Sequence, residues 1–273
     1  MDRPVQNIIG GADSTRQAEP SLSLIIPAYN EAARIAGTVR EAVAWLTGQP
    51  FASELIVVDD GSDDTTADLA DRALSQLGCG RVLRIPHGGK AAAVRAGMLA
   101  ATCEQIAFSD ADLATPLSYL SELRVALAGG CDVAIGSREG AGARRFGEPP
   151  YRHLMGRVFN RLVRLLLVPE VHDTQCGFKL FRAEVARDLL RRSRLYRPGG
   201  QIINGPRVTA FDVELLAIAR LHGYRICAVP VVWSYGEGSK VRPARDTWHN
   251  VRDLLEVWIA AKRGRYCDES LES

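Results

Sequence analysis

The chain has 273 residues, of which 47% are hydrophobic, and its 34 basic and 32 acidic residues leave a formal net charge of +2. This apolar content is ample for a sizeable core in one large domain or two small ones, and the balanced charge argues against nucleic acid as a partner. No run approaches the roughly 20 apolar residues of a membrane span, and the N-terminus lacks the apolar core of a secretion signal. These features favour a globular, cytoplasmic protein.

The first half of the chain alternates short apolar runs with longer segments of helical spacing. Residues 1–20 are polar and predict a mobile leader. Strands are predicted at 22–27, 54–59, 81–86, 105–110 and 131–137. Helices are predicted at 31–46, 64–77, 90–102 and 117–128. This alternation predicts an α/β fold with a mainly parallel sheet flanked by helices.

The pattern changes after residue 138. The segment REGAGARRFGEPP predicts a mobile loop, which is followed by a helix over about 151–168 and the turn DTQCGF. A short strand into Leu180 and Phe181, a helix, a second helix over about 211–221 and the strand RICAVPVVW follow. The chain closes with a helix over about 246–262. We predict one domain over 21–265 and a C-terminal tail over 266–273.

The cysteines are scattered and contain no C-x-x-C pair. This spacing argues against a zinc site and against a compact disulfide framework. A reduced cytoplasmic setting is therefore expected. The six positions are Cys79, Cys103, Cys131, Cys176, Cys227 and Cys267.

Polar clusters follow three of the predicted strands. PAYNE follows the first strand, DDGSDD the second and DADLATP the fourth. Ligands of open α/β sheets gather beyond the carboxyl ends of the strands. We therefore expect the three clusters to line one crevice.

The D-x-D pair, Asp110 and Asp112, has two interpretations. Two carboxylates this close raise each other's pKa unless a cation lies between them, and Mg²⁺ or Mn²⁺ beside substrate phosphates would supply that cation. Alternatively, both side chains cap the helix predicted to begin near Pro116. The residues alone do not choose between a metal site and a cap.

Two other clusters are also ambiguous. Asp63 or Asp64 suits the N-cap of the next helix, whereas Asp59 and Asp60 at the strand end suit hydrogen bonds from a base or ribose. The segment HGGKAAAVRAG is glycine-rich but lacks both the P-loop and the dinucleotide-binding patterns. Its Lys90 is either a site residue or a solvated lysine at a helix start.

Seven motifs then occur in one order: LSLIIPAYNEAARI, ELIVVDDGSDDTT, GGKAAAVRAG, FSDADLATP, VAIGSR, DTQCGFKLFR and FDVELL. Together they closely resemble glycosyltransferase family 2 proteins, in the branch that makes polyprenyl- or dolichyl-phosphate sugars. DTQCGFKLF, FDVELL and the late GSKV are most similar to dolichyl-phosphate glucosyltransferases. The resemblance spans about Ser21 to Arg265. It implies a GT-A (nucleotide-diphospho-sugar transferase) fold, a nucleotide-sugar donor and a divalent metal, Mg²⁺ or Mn²⁺.

The resemblance also implies roles for single residues. Asp110 and Asp112 would hold the metal, the ribose and the diphosphate, and Lys90 would lie near the nucleotide. Gln175, Cys176 and Gly177 would form a turn beside the sugar. The residues that would frame the nucleotide are Pro27, Tyr29, Asn30, Glu31, Asp59 and Asp60. The residues that would meet an acceptor phosphate are Ser137, Arg138, Arg152 and Lys240.

The expected function is inverting, metal-dependent transfer of a hexose, with UDP-glucose as the favoured donor and polyprenyl or dolichyl phosphate as the acceptor. An acceptor phosphate is already anionic and needs positioning cations rather than a general base. An alcohol or glycan acceptor would need a base, for which Asp212 is the candidate; its other interpretation is a helix N-cap. Ala114 stands where phosphomannosyl relatives often have a glutamine that supplements the metal, which disfavours GDP-mannose. A GDP-mannose-dependent polyprenyl-phosphate mannosyltransferase and transfer from UDP-N-acetylhexosamines stay open as alternatives. Gly156 likewise replaces a serine near the lipid phosphate.

Three segments are candidates for peripheral membrane contact. The predicted helix over 151–168 has apolar and arginine-rich sides, and the last helix has tryptophans and aliphatic residues on one side. Either face could instead pack on the domain. The loop over 139–150, with Arg144, Arg145 and Phe146, is expected to be a mobile cover that carries cations to anionic lipid. A nucleotidyltransferase and a non-catalytic nucleotide-sugar binding module are the alternatives outside this chemistry, and nothing indicates the oligomeric state.

Overall fold

A seven-stranded sheet forms the centre of the molecule. The computed structural model describes residues 19–77, 80–195, 210–236 and 243–267, with side chains from 249 onward in the last range. Within these residues the strands are β1 (Leu22–Ala28), β2 (Ser53–Asp59), β3 (Arg81–Arg84), β4 (Gln105–Phe108), β5 (Val133–Ser137), β6 (Arg144–Phe146), β7 (Lys179–Arg182), β8 (Ile226–Pro230) and β9 (Val232–Ser234). The large sheet has the order β3-β2-β1-β4-β7-β5-β8, and β6 pairs with β9 in a separate two-stranded sheet.

The large sheet is mainly parallel, as predicted. Only β7 runs antiparallel, between β4 and β5. The helices are α1 (Ile35–Thr47), α2 (Thr66–Leu77), α3 (Lys90–Ala100), α4 (Tyr119–Ala128), α5 (Pro150–Leu166), α6 (Ala183–Arg192), α7 (Phe211–Leu221) and α8 (Pro243–Lys262). Strands with apolar side chains on both faces bury one face under α1, α2 and α4 and the other under α3, α5, α6, α7 and α8. The α/β prediction is therefore confirmed.

Several boundaries differ from the predicted ones. The first helix begins at Ile35 rather than near Glu31, because Asn30 adopts a left-handed backbone (φ 52°) and a turn precedes the helix. The predicted strand RICAVPVVW is two strands in two sheets. The break falls at Val231, whose N–H donates to Ser137 O while its own carbonyl accepts from Arg144 N. The chain thus leaves the large sheet and continues beside β6.

The segment 139–150 is not the unpaired loop that its glycines predict. It contains β6, and the Arg145 guanidinium forms ion pairs with Glu139 (2.9 Å) and Glu148 (2.8 Å). Arg145 therefore stabilises the segment, and its charge is already neutralised within the protein rather than available to anionic lipid. Arg144 and Phe146 are exposed.

The cysteine prediction needs a correction. Cys131 and Cys227 form a disulfide between the segment that leads into β5 and the neighbouring strand β8. Sequence spacing could not reveal it, because the two residues are 96 positions apart. Disulfides are rare in reduced compartments, so the cysteines do not support the cytoplasmic prediction.

The two amphipathic helices have different outcomes. In α8, Leu254 and Val257 are buried while Leu255 and Ile259 remain exposed, so part of the helix packs on the domain. In α5 the apolar residues of one face are largely exposed. No helix in the part of the chain that the structure describes is long and apolar enough to cross a bilayer. The predicted leader, except for its last two residues, and tail residues 268–273 lie outside the described residues.

Candidate active site

The three polar clusters meet at one edge of the sheet, as predicted. Ala28 at the end of β1 is in register with Asp59 at the end of β2, and β4 runs parallel on the other side of β1. Asn30 links the first two clusters: its N–H donates to Ser62 Oγ (2.9 Å), and its Oδ1 accepts from Asp63 N (2.9 Å). Asparagine tolerates the left-handed backbone that this position requires. The strand ends therefore form one continuous polar edge.

Glu31 and Pro27 have supporting positions at this edge. Glu31 N donates to Thr66 Oγ1 (2.7 Å), and the Glu31 carboxylate pairs with Arg34 (2.9 Å). Pro27 is buried inside β1, in register with Val58. Asp64 Oδ1 accepts from Thr66 N just ahead of α2 (2.9 Å). The N-cap itself is Thr65, whose carbonyl accepts from Leu69 N, so the N-cap prediction for Asp63 or Asp64 is wrong.

Asp60 anchors the HGGK segment. Its carboxylate accepts hydrogen bonds from Gly88 N and Gly89 N, both at 2.8 Å, and contacts His87 Nδ1 at 2.8 Å. Burial raises the pKa of Asp60, although these hydrogen bonds act in the opposite direction. Gly61 is required here, because a Cβ at this position would lie 2.8 Å from His87 N. Asp60 thus fixes the segment that carries Lys90.

Asp59 and Tyr29 offer the features that recognise a base. The Tyr29 ring stacks on the His87 ring, with centroids 4.0 Å apart and 14° between the planes. Asp59 is 4% exposed, and its Oδ2 accepts from Ser62 N (3.3 Å). Its buried Oδ1 has no hydrogen-bond partner among the described residues. A buried acceptor without a donor is costly, so this oxygen suits an N–H from a ligand.

The D-x-D pair lies at the end of β4 and faces cations. The Asp110 carboxylate forms an ion pair with Lys90 at the start of α3. Desolvation and the negative charge of Asp110 raise the pKa of Asp112, whereas Lys90 acts to lower it. Desolvation acts to lower the pKa of Lys90, but Asp110 and Asp212 outweigh it and raise that pKa. The acidic residues therefore favour the charged form of Lys90, whereas the charged form of Asp112 is disfavoured in the absence of a further cation.

The helix-cap interpretation of this pair finds no support. The N-cap of α4 is Ser118, and no side chain forms a cap hydrogen bond there. Asp112 Oδ1 instead accepts from Ala114 N within its own turn (3.1 Å), where Leu113 has a left-handed backbone (φ 47°). Strain of this kind is often found at functional sites.

The donor set fits a hard divalent cation that is shared with a substrate. Among the described residues no group of three or more metal-ligating side chains exists, so these residues supply two carboxylates at most. Mg²⁺ and Mn²⁺ are commonly held by one or two carboxylates, with phosphates and water completing the coordination. Asp110 and Asp112 meet that requirement.

The turn DTQCGF closes against Asp110. A Cβ on Gly177 would lie 2.2 Å from Asp110 Oδ2, so only glycine allows the carboxylate to approach this backbone. Arg138 Nε and Nη2 donate to the fully buried Asp173 carboxylate at 2.7 and 2.8 Å. The hydroxyl of Thr174 donates to Asn160 on α5 (2.9 Å). This network positions the turn.

Four further residues were predicted to contact the sugar or the acceptor phosphate, and they lie at different distances from the D-x-D pair along the chain. Gln175 is half-buried within the turn, and Arg138 is tied to the start of the turn through Asp173. Arg152 on α5 donates through Nη1 to the Tyr235 hydroxyl (3.1 Å). Lys240 lies outside the described residues. The chain leading to it is held beside the D-x-D pair, because Ser234 N donates to Ala114 O (2.9 Å).

Asp212 reaches this site from α7. It is the second residue of α7, whose N-cap is Ala210, so its N-cap interpretation is wrong. Its Oδ1 lies 3.4 Å from Nζ of Lys179, a fully buried lysine on β7. Lys179 also donates to Cys176 O (2.5 Å). A lysine is almost never fully buried without a partner, so Lys179 ties the turn to Asp212.

Sequence reasoning missed Lys179, His87 and Asp173. Lys179 and Asp173 stand within the recognised DTQCGFKLFR motif, and His87 precedes the glycines of HGGK. Their position inside motifs was the available signal. Their contacts depend on residues far away in the chain, which no local pattern reveals.

The chain is similar to known proteins of one family. The family model for Glycosyl transferase family 2 matches residues 23–190. The chain belongs to this family. It is 37% identical over 257 residues to a dolichyl-phosphate beta-glucosyltransferase of Drosophila melanogaster, covering 87% of this chain and 74% of that protein. It is 33% identical over 260 residues to the dolichyl-phosphate beta-glucosyltransferase of Homo sapiens, covering 90% and 77%.

Solved structures agree on the fold of this family 2 glycosyltransferase. Glucosyl-3-phosphoglycerate synthase from Mycobacterium tuberculosis, crystallised with Mn²⁺, UDP-glucose and phosphoglyceric acid, has a TM-score of 0.57 at 20% identity, covering 92% of this chain and 82% of that chain. Mannosyl-3-phosphoglycerate synthase from Rubrobacter xylanophilus has a TM-score of 0.61 at 16% identity, covering 90% and 76%. At these identities the likeness establishes the GT-A fold alone. The predicted fold and enzyme class are confirmed.

Proposed function

We propose that this glycosyltransferase moves a hexose, with UDP-glucose as the favoured donor, onto a polyprenyl or dolichyl phosphate, in a metal-dependent reaction that inverts the anomeric carbon. The observation that carries the proposal is the placement of Asp110, Asp112 and Lys90 at the strand edge that also holds Tyr29 and Asp59. The names of the curated relatives support the choice of sugar and acceptor.

The nucleotide would lie at the Tyr29 end of this edge. Its base would stack on the aromatic pair Tyr29 and His87, which are parallel. The unpaired Asp59 Oδ1 would accept an N–H of the base, such as N3–H of uracil.

The diphosphate would lie at the end of β4, where Asp110 and Asp112 would hold Mg²⁺ or Mn²⁺. When bound, such an ion neutralises the negative charge that develops on the leaving diphosphate. Lys90 holds Asp110 in place and adds a second positive charge at the same position. Preorganised charges of this kind are usually the largest contribution to catalysis.

The acceptor phosphate is anionic at neutral pH, so the protein must position it against repulsion from the donor. Arg152 is our candidate for this task, because it donates to Tyr235, whose neighbours Ser234 and Gly236 lie near the D-x-D pair. Lys240 follows a segment that Ser234 and Gly236 hold near the D-x-D pair. Arg138 would act through Asp173 by fixing the turn beside the sugar.

The test is transfer of label from UDP-glucose, GDP-mannose and UDP-N-acetylglucosamine into a lipid-extractable product, with a short-chain polyprenyl phosphate in detergent. We expect product from UDP-glucose, lost in EDTA and restored by Mn²⁺ or Mg²⁺. Product from GDP-mannose alone would replace the donor assignment. Turnover that continues in EDTA would contradict the metal-dependent mechanism.

A second function is favoured by the position of Asp212. This carboxylate belongs to the charged cluster around Lys90, where a base for an alcohol or glycan acceptor would be needed. Asp212→Asn distinguishes the two reactions. Transfer to phosphate should fall modestly, since no proton is removed. A loss of several orders of magnitude with folding intact would indicate an alcohol acceptor.

A further inference from the structure

Helix α5 displays an apolar stripe to solvent. Its members are large apolar side chains that are between 39% and 74% exposed, namely Tyr151, Leu154, Val158, Leu162 and Leu165. Their spacing of three and four residues places them on one face, over about 21 Å of helix. Single exposed apolar residues are ordinary, but a continuous row of five indicates an interaction surface.

The fold holds this stripe outward. The other side of α5 buries Phe159 and Val163 in the core, and Asn160 accepts hydrogen bonds from the backbone and hydroxyl of Thr174. These contacts fix the rotation of the helix about its axis. The exposure of the stripe is therefore a consequence of packing.

The charged residues of α5 all carry one sign of charge. The helix contains four arginines, no aspartate and no glutamate. Arg157 and Arg161 are exposed, and neither forms a hydrogen bond or ion pair within the part of the chain that the structure describes. Arg164 donates to the carbonyl of Pro169, which follows the C-terminal end of α5. An apolar row beside unpaired arginines complements a surface that is apolar inside and anionic at its boundary.

We propose that the apolar stripe of α5 binds the surface of an anionic phospholipid membrane, with Arg157 and Arg161 at the lipid phosphates. The inference rests on the proposed function, because a polyprenyl phosphate acceptor lies in such a membrane. Basic amphipathic helices bind in the interface plane with their apolar face among the acyl chains. Arg152, the candidate for binding the acceptor phosphate, lies in the first turn of α5 and contacts Tyr235. Docking of α5 would therefore bring Arg152 close to the lipid.

A second copy of this chain is a poorer occupant. A two-fold contact through the stripe would place α5 against its own copy. The arginines of both helices would then approach each other, with no acidic residue on either helix to balance them. An anionic lipid surface removes that repulsion.

The test uses the full chain and sedimentation with vesicles of phosphatidylcholine alone or with 30% phosphatidylglycerol, in the absence of donor and acceptor. Leu154→Gln/Val158→Gln/Leu165→Gln should weaken binding to anionic vesicles by roughly tenfold or more. The matched control is Leu99→Gln/Val125→Gln, which changes two exposed apolar residues on other helices. That control should bind as the wild type does.

A second pair of variants tests the charge. Arg157→Ser/Arg161→Ser should weaken binding to anionic vesicles by about 30-fold at low salt, which is about fivefold for each cation. Arg40→Ser/Arg72→Ser changes two exposed arginines elsewhere and should have no effect. Wild-type protein that stays in the supernatant with anionic vesicles would overturn the proposal.

Two further readouts separate the outcomes. Sedimentation velocity without lipid identifies a competing interface: a wild-type dimer that the triple α5 variant converts to monomer would overturn the proposal in favour of contact between copies. Turnover with the short-chain acceptor in detergent should be equal in wild type and α5 variants. Vesicle binding without any turnover would contradict the proposed function while supporting this membrane surface.

Discussion

The contact between Gly177 and Asp110 is the sharpest steric requirement at the site. In Gly177→Ala the new Cβ would lie 2.2 Å from Asp110 Oδ2, against about 3.4 Å for an ordinary contact. Gly177 does not have a left-handed backbone, so the substitution strains the chain only through this contact. The carboxylate must therefore move by more than 1 Å from its position beside Lys90. A displacement of 1 Å at a reacting centre can reduce turnover about 100-fold.

The assay is transfer from UDP-glucose to short-chain polyprenyl phosphate, with UDP affinity in Mn²⁺ measured in parallel by calorimetry. We expect turnover of Gly177→Ala to fall about 100-fold, together with UDP affinity, while the circular dichroism spectrum stays unchanged. The matched control is Gly37→Ala on α1, where an added Cβ meets nothing within 4 Å. That control should keep full activity and gain about 0.5–1 kcal/mol of stability. Wild-type turnover and UDP affinity in Gly177→Ala would refute the placement of Asp110.

Three further predictions follow from buried or paired charges. Glu214 is fully buried on α7. Burial raises the pKa of Glu214 to about 7, above its unfolded value of 4.5, so the contribution of this carboxyl to stability is full below pH 4.5 and is lost as pH rises through 7. In urea melts, the free energy of unfolding of wild type relative to Glu214→Gln should fall by about 3 kcal/mol between pH 4.5 and 8; a pH-independent difference contradicts this. Lys90→Met should reduce turnover by about 100-fold or more, whereas the exposed control Lys262→Met should not change it. Equal turnover of Lys90→Met and wild type would show that Lys90 has no role at the site. Asp173→Asn removes the fully buried counter-ion of the half-buried Arg138 and should cost about 3–5 kcal/mol in chemical denaturation. A change below about 1 kcal/mol would show that the pair is dispensable.

The sequence predicted the crevice well because its signals are local. Apolar runs that end in acidic clusters mark the carboxyl ends of β1, β2 and β4, and the parallel arrangement brings those ends together. The metal-site interpretation of Asp110 and Asp112 stays a prediction, and the cap interpretation lost its support once the contacts were known.

The parts that the sequence did not predict depend on long-range pairing. Nothing within KLFR indicates that β7 enters the sheet antiparallel, between β4 and β5. Nothing in the sequence around Lys179 distinguishes it from an ordinary strand lysine. Its burial is explained by its contact with Asp212, which is 33 positions later. The glycines of 139–150 concealed β6, because its partner β9 lies about 90 residues away.

The central claim is that Asp110 and Asp112 hold a divalent cation that binds the donor diphosphate, and calorimetric titration of UDP in Mn²⁺ and in EDTA tests it most directly. For the wild type we predict affinity about tenfold or more higher in Mn²⁺ than in EDTA. Asp112→Ala should lose most of this difference while keeping its affinity in EDTA, because the base contacts at Tyr29 and Asp59 are unchanged. Equal UDP affinity of the wild type in the two conditions would contradict the claim.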